Sequence, residues 1–323
     1  MLPQRYPLEF VAEVRKLGES LSTIDQQSEL FRRHLGFTLF LVGTVIVFWT
    51  FLQSLLRYSL TNDIATHMIL VVPVSAYLFY LKRKQIFSNV RTGIVPGSLL
   101  FLSAVILWWL DKQHVIFLEL DGELSLVMLA IVILWMSGFI FFYGPHAFVK
   151  GCFPLLFLLF LVPIPALLIE KITFFLQSGS ATVAFGMLKL FSVPVLKQGF
   201  VMHLPTLDIE VAKQCSGIRS SLILFITTLL MGQFALRSAW RKLLLILCVV
   251  PILIFKNAAR IVALSLLSIY VDRGFLHGWL HTSGGILFYM LGLAILIPIV
   301  VAFRNSERGK IAARQLQPLP PVL

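Results

Sequence analysis

The hydrophobic positions of this chain fall into long runs separated by short polar loops. Eight runs approach the roughly 20 apolar residues that a helix needs to cross a bilayer: residues 35–56, 64–81, 93–110, 124–143, 148–165, 218–236, 243–268 and 281–303. They predict an all-α, polytopic integral membrane protein with about eight transmembrane helices. The second and fifth runs contain proline (Pro73; Pro154 and Pro163). A span tolerates proline when neighbouring groups take up the freed carbonyls.

Two segments flank this membrane domain of residues 35–303. In residues 1–34, Leu8, Phe10, Val11, Val14, Leu17 and Leu21 recur at helical spacing among charges. That spacing predicts an amphipathic cytoplasmic segment lying on the membrane or on the domain. Residues 304–323 predict a basic cytoplasmic tail with a disordered, proline-rich end. Within the domain, the stretch 166–217 departs from the long-run pattern. Leu167–Phe191 sets apolar residues at helical spacing around Glu170, Lys171, Gln177 and Lys189, predicting one or two short interfacial helices. Gly199–Leu204 and Leu207–Val211 then alternate on either side of Pro205-Thr206, predicting a small outer hairpin just before Cys215.

Composition sharpens the class. The chain is 58% hydrophobic and 13% charged, against about 25% charged in soluble domains. A net charge of +12 would suit a nucleic-acid binder, but the cations sit in alternate short loops. Lys82, Arg83, Lys84 and Arg91 follow the second run, Lys150 the fourth, and Arg237, Arg241 and Lys242 the sixth. Arg304, Arg308, Lys310 and Arg314 follow the eighth, whereas loop 111–123 carries Asp111, Glu119, Asp121 and Glu123. The positive-inside rule then puts both termini in the cytoplasm, and no nucleic-acid partner is expected. No cleavable leader is expected ahead of the first run. The three cysteines, Cys152, Cys215 and Cys248, have no paired spacing, so neither a disulfide framework nor a zinc site is expected. No metal and no cofactor is called for.

This topology brings three chemically expensive residues to one depth, on the non-cytoplasmic face. Cys215 lies just before the sixth run, Arg260 in the outward half of the seventh, and His281 opens the eighth. A helix N-terminus stabilises a thiolate, and Ser216-Gly217 lets backbone amides approach a reacting carbonyl. Arg219 follows one turn later. A charge inside a span costs about 2.5–3.5 kcal/mol on insertion scales, and Asn257 shares the face of Arg260, which favours a role over simple snorkelling. His281 outranks His277, whose neighbours Gly278 and Trp279 read as an interfacial anchor. His67 opens the second run on the same face, where an interfacial ring is an equally good reading.

Together Cys, His and Arg supply the parts of thiol acyl transfer. The thiolate attacks a peptide carbonyl, the histidine protonates the leaving amine and then activates the incoming nucleophile, and the arginine stabilises the oxyanion. Two alternatives stay open. One is a membrane hydrolase using Ser216 or Ser220. The other is a non-enzymatic transporter or assembly factor for surface-polymer export, which would line a path through the bilayer with polar residues.

Several stretches resemble the exosortase/archaeosortase family of membrane transpeptidases. Cys215-Ser216-Gly217-Ile218-Arg219-Ser220 is similar to the family's signature around its cysteine. Asn257-Ala258-Ala259-Arg260 resembles its Asn-x-x-Arg, and His281 with Gly285 its His-x-x-x-Gly. Ala65–Pro73, with His67, resembles an early family motif, and Phe153–Pro165 the central helix. The resemblance covers roughly residues 57–303; Lys213-Gln214 departs from the small or acidic pair usual before the cysteine.

It implies a membrane-embedded cysteine protease/transpeptidase with Cys215, Arg260 and His281 catalytic. Arg219, Asn257, His67, Ser216 and Gly217 would be supporting or substrate-binding. The implied substrates are exported proteins bearing a C-terminal tail of short motif (often Pro-Glu-Pro), transmembrane helix and basic cluster. The implied location is the bacterial inner membrane, with the site on the periplasmic face.

Overall fold

The computed structural model describes residues 8–113, 120–205, 208–211, 217–272, 274 and 284–315, with side chains described for all of these except 8–24, 26, 120–123 and 310–315. The described residues are all-α apart from one small sheet. The chain divides after Ala166 into two compact units.

The first unit holds α1 (Leu8–Val47), α2 (Trp49–Thr61), α3 (Met68–Ile86), α4 (Ile94–Lys112), α5 (Leu120–Lys150) and α6 (Cys152–Phe157), closed by a 3-10 turn, Leu158–Leu161. Its organising feature is a break in α5 at Gly144, where φ is 83° and ψ 171°. Pro145 has no N–H, so the carbonyl of Phe141 loses its helical donor. Inside a membrane that carbonyl needs another partner. Gly93 N donates to Phe141 O at 3.3 Å and Arg91 N to Tyr143 O at 3.3 Å. Arg33 Nη1 donates to Phe142 O at 2.7 Å. A Cβ at position 144 would collide with Arg91 O, so only glycine lets the segment before α4 dock into the break. Around it packs an aromatic core of Phe37, Phe79, Phe87, Phe139 and Tyr143. The Tyr143 hydroxyl meets His34 Nδ1 at 2.7 Å.

The second unit holds most of α7 (Ala166–Leu190), strands β1 (Leu196–Gln198), β2 (Val201–His203) and β3 (Asp208–Glu210), then α8 (Ile218–Ala235), α9 (Ala239–Tyr270) and α10 (Gly285–Gln315). The strands form an antiparallel sheet in sequence order, with Met202 opposite both Lys197 and Ile209. The expected hairpin is therefore present, with β1 added as a third strand.

Two buried clusters organise this unit. One joins Ala181, Ala184 and Leu188 of α7 to Met202, Leu204 and Val211 of the sheet region and to Ala258, Ile261 and Val262 of α9. The other joins Leu224 of α8, Leu245, Val249 and Ile252 of α9, and Leu296 and Val300 of α10. Gln177 of α7 donates its side-chain N–H to Val211 O, tying the end of the sheet to the first cluster.

By length and composition, six helices among the described residues can cross a membrane: Gln27–Val47, Ile94–Lys112, Leu124–Lys150, Ile218–Ala235, Ala239–Tyr270 and Gly285–Gly309. A seventh is added if Cys152–Leu161 and Ala166–Leu190 count as one broken span. Eight were expected, and the differences have local causes. The first span sits earlier than 35–56, because α1 continues without interruption from Leu8 through Val47 and the chain turns at Phe48. There is thus no break at residue 34 between an amphipathic segment and a span. The second candidate yields only the 19 residues of α3, whose final turns carry Lys82, Arg83 and Lys84. The fifth ends as a helix at Leu161, just ahead of Pro163 and Pro165. Of the one or two short helices expected here, one forms, and it is longer, with 25 residues over Ala166–Leu190. Arg304 and Arg308 of the expected tail lie on α10, which runs on to Gln315.

Glu307 of α10, 7% exposed, closes the turn between α8 and α9. Its carboxylate accepts Arg237 N at 2.9 Å and Ser238 N at 2.9 Å, and Arg241 Nη1 lies 3.4 Å away. Ser238 makes no side-chain cap of its own, and the carboxylate instead takes up the two N–H groups of the turn that leads into α9. Glu307→Ala should cost about 1–3 kcal/mol through these unmet donors. The expected result is a lower melting temperature for the protein in detergent micelles, with Glu307→Gln intermediate because it keeps one acceptor.

Candidate functional site

The site is built where the start of α8 meets the middle of α9. Gly217 stands at the N-cap of α8 with φ 62° and ψ 29°, a left-handed conformation that glycine adopts without steric cost. Its carbonyl accepts Ser221 N at 2.8 Å and the Ser220 hydroxyl at 3.0 Å. A Cβ on Gly217 would come within 2.5 Å of Asn257 Oδ1. The residue type thus answers both to the turn and to the α9 side chain lying against it.

On α9, Lys256, Asn257 and Arg260 are 1%, 2% and 9% exposed. Residues three and four apart share a helix face, so three polar side chains stack along one buried stripe. Apolar residues surround it: Ala258 and Ile261 are buried as well. Lys256 Nζ donates to Ser220 Oγ at 2.8 Å. Since Ser220 gives its own proton to the carbonyl of Gly217, its oxygen receives a hydrogen bond from the ammonium and passes one to the backbone. The contact ties α9 to the first turn of α8. Ser221 Oγ is buried, with no hydrogen-bond partner among the described residues.

Of the residues singled out in the sequence, the structure sets Gly217 against Asn257, with Arg260 three residues further along α9 on the same face. Arg219 is exposed on the first turn of α8. Cys215, Ser216, His277 and His281 lie outside the described residues. The residues on either side of Cys215 are nonetheless both tied to α9. Val211 belongs to the same buried cluster as Ala258 and Ile261, and Gly217 abuts Asn257. His67 belongs to the first unit, where it precedes α3 and its Nδ1 lies 3.0 Å from Ile64 O. Its ring lies edge-on to Phe160, with centroids 6.4 Å apart. Among the described residues, no group of three or more His, Cys, Asp or Glu could hold a metal ion.

Sequence reasoning gave Lys256 no role and named Ser220 only as an alternative nucleophile. A lysine inside an otherwise apolar run was the available signal, but only the contact across two helices shows what it engages.

A family model for the transmembrane exosortases matches residues 58–298. The chain belongs to the transmembrane exosortase family. The matched region begins within α2 and ends within α10, so every candidate of this exosortase falls inside it. No curated protein and no solved structure matches the chain.

The geometry of the exosortase turn is directly testable. Gly217→Ala should destabilise the protein by about 1–3 kcal/mol, from left-handed backbone strain and the clash with Asn257. Asn257→Ala in the same chain should relieve the clash, so that thermal unfolding of the double variant shows less loss than the two single losses added together.

Proposed function

We propose that this exosortase is a membrane-embedded cysteine protease/transpeptidase. Cys215 is the nucleophile, Arg260 the oxyanion-stabilising cation, and His281 the general acid and base. The observation that carries this reading is the buried stripe of Lys256, Asn257 and Arg260 against the first turn of α8. Val211 and Gly217 anchor the chain on either side of Cys215 to this same part of α9.

The chemistry follows from the residue types. The Cys215 thiolate adds to a peptide carbonyl, and the tetrahedral oxyanion is stabilised by the Arg260 guanidinium. His281 gives its proton to the departing amine, which leaves with the C-terminal segment, and a thioester links Cys215 to the upstream protein. His281 then takes a proton from water or from an amine acceptor, and the attack of that nucleophile frees the thiol.

Helix dimensions support an outer-surface location. At 1.5 Å per residue, Arg260 lies about 32 Å along α9 from Ala239, close to the roughly 30 Å of hydrocarbon that a bilayer presents. The basic residues Arg237, Arg241 and Lys242 mark the other end of that helix as cytoplasmic. A substrate tail already inserted in the bilayer would reach this depth by lateral diffusion, its cleavage motif emerging beside α9. Such a tail, with a short motif, a helix and a basic cluster, is the substrate class we assign, and the bacterial inner membrane the location. Arg219, exposed at the start of α8, is suited to contact that substrate. The transporter reading finds less support. The inner half of α9 packs through Leu245, Val249 and Ile252, which are buried and apolar.

The test is cleavage, in the parent cell, of an exported reporter that ends in a candidate tail from the same genome. Wild-type enzyme should convert it to a shorter form and Cys215→Ala should not. Arg260→Ala should reduce cleavage by at least about a hundredfold, as expected for loss of an oxyanion donor, with Arg219→Ala weakening it less. Cleavage that persists in Cys215→Ala would rule the thiol mechanism out.

A further inference from the structure

A hollow of about 240 Å³ lies on α5, between α1 and α4. Phe40 of α1, Gly97 and Phe101 of α4, and Ser137, Gly138 and Phe141 of α5 line it. Ser137 gives its hydroxyl proton to Leu134 O at 2.8 Å, so the buried hydroxyl of the lining is spent within its own helix. Phe40 lies directly over Gly138, where a Cβ would collide with its ring, so close packing holds this wall in place. Phe101 and Phe141 are 47% and 39% exposed, and the hollow opens at the surface between them. An apolar cavity of about 150 Å³ takes a guest the size of benzene, so this one has room for more. A helix cannot enter, being about 10–12 Å across, whereas the cube root of this volume is about 6 Å. An unbranched hydrocarbon chain is slim enough.

The break at Gly144 gives the hollow a charged end. Phe142, also part of the lining, accepts Arg33 Nη1 at 2.7 Å. Arg33 Nη2 engages Glu29 at 2.7 Å, so those two charges answer each other. Arg91 N donates to Tyr143 O at 3.3 Å, which sets the backbone of Arg91 one residue from the lining. On α1, Arg32, Gly36 and Phe40 are spaced by four and share a face. Phe40 lines the hollow, and a Cβ on Gly36 would come within 2.6 Å of the Phe142 ring. Arg32 therefore stands on the same stripe, about two turns nearer the start of α1. Arg32 and Arg91 are both exposed. One apolar slot thus ends in two exposed cations, carried by α1 and by the segment before α4. Arg83 and Lys84 in the last turn of α3 and Lys150 in that of α5 mark this end as cytoplasmic by the positive-inside rule.

We propose that this slot binds one anionic phospholipid of the cytoplasmic leaflet. One acyl chain lies in the hollow, and the phosphate is held between Arg32 and Arg91. Such a lipid joins hydrocarbon to a phosphodiester in one molecule, as the slot joins an apolar lining to two guanidinium groups. A zwitterionic lipid brings a cation of its own, which the same pair repels. The basic cluster of a substrate tail is repelled likewise, so that tail is not the occupant.

The experiment uses the full chain, stripped of lipid in a neutral detergent. It is titrated with phosphatidylglycerol or with phosphatidylcholine of identical acyl chains, and bound lipid is counted by native mass spectrometry. The first phosphatidylglycerol should bind about tenfold or more tighter than phosphatidylcholine. Arg32→Gln and Arg91→Gln should each weaken it about fivefold, with phosphatidylcholine little changed. Both variants keep the backbone contacts described above. Lys84→Gln removes an exposed charge from α3, outside the slot, and should change neither lipid. Ser98→Trp enlarges a residue of the lining and should weaken both lipids alike. Glycerol phosphate, a headgroup without chains, should not compete.

Equal affinity of the wild type for the two lipids would overturn the proposal, as would full phosphatidylglycerol affinity in the Arg32→Gln/Arg91→Gln double variant. An equal loss in Lys84→Gln would also overturn it, because the basic surface as a whole would then be the attractor. Competition by glycerol phosphate would leave a bare phosphate site in place of a lipid site. Should Ser98→Trp fail to fold, the arginine variants decide alone.

Discussion

The second unit depends on the hydrogen bond from a buried ammonium to a half-buried hydroxyl. Lys256 reaches Ser220 across the α8–α9 interface, with its stem alongside Gly292 of α10. In hydrocarbon a charge without a polar neighbour is costly, so this contact restricts the arrangements of α8, α9 and α10 that the chain can adopt. Asn257, the next residue, then settles against Gly217. Arg260 follows one turn later on the same stripe. The small sheet completes the arrangement, because Val211 joins the cluster around Ala258 and Ile261. Buried polarity and helix registration thus rest on the same few side chains.

Much of this was readable before any coordinates. The long apolar runs gave an all-helical membrane protein, because hydrophobic length is a one-dimensional property. The alternation around Pro205 gave β2 and β3, and motif spacing singled out Gly217, Asn257 and Arg260. What remained hidden depends on partners distant in sequence. Lys256 and Ser220 are 36 residues apart, and no periodicity connects them. Strand β1, Leu196–Gln198, was missed because it lies ahead of Gly199, outside the two alternating arms around Pro205. The span boundaries moved for reasons of local backbone. α1 passes through residue 34 without a break, since helix propensity continues where hydropathy changes. In the fifth run, Pro163 and Pro165 end the helix although apolar composition continues.

Proline acts differently at Pro145 and at Pro251. At Pro145 the helix opens, and backbone and arginine donors from α1 and the segment before α4 fill the gap. Gly144 makes that opening possible through its positive φ. At Pro251 the chain remains helical, and α9 continues through to Tyr270. A break in α9 would have separated the basic residues at its start from Arg260. Its continuity keeps Lys256, Asn257 and Arg260 in register on one face.

The Glu307 carboxylate binds the turn between α8 and α9 through the backbone N–H groups of Arg237 and Ser238. Recognition of backbone is indifferent to side chain. Substitutions at 237 and 238 should therefore be tolerated widely, proline excepted, because proline removes the donor. Position 307 has no such latitude, since only an acid presents two anionic oxygens to two adjacent amides. The sequence constraint on this corner thus lies some 70 residues downstream of the corner itself, on a helix that a scan of the loop alone would never inspect.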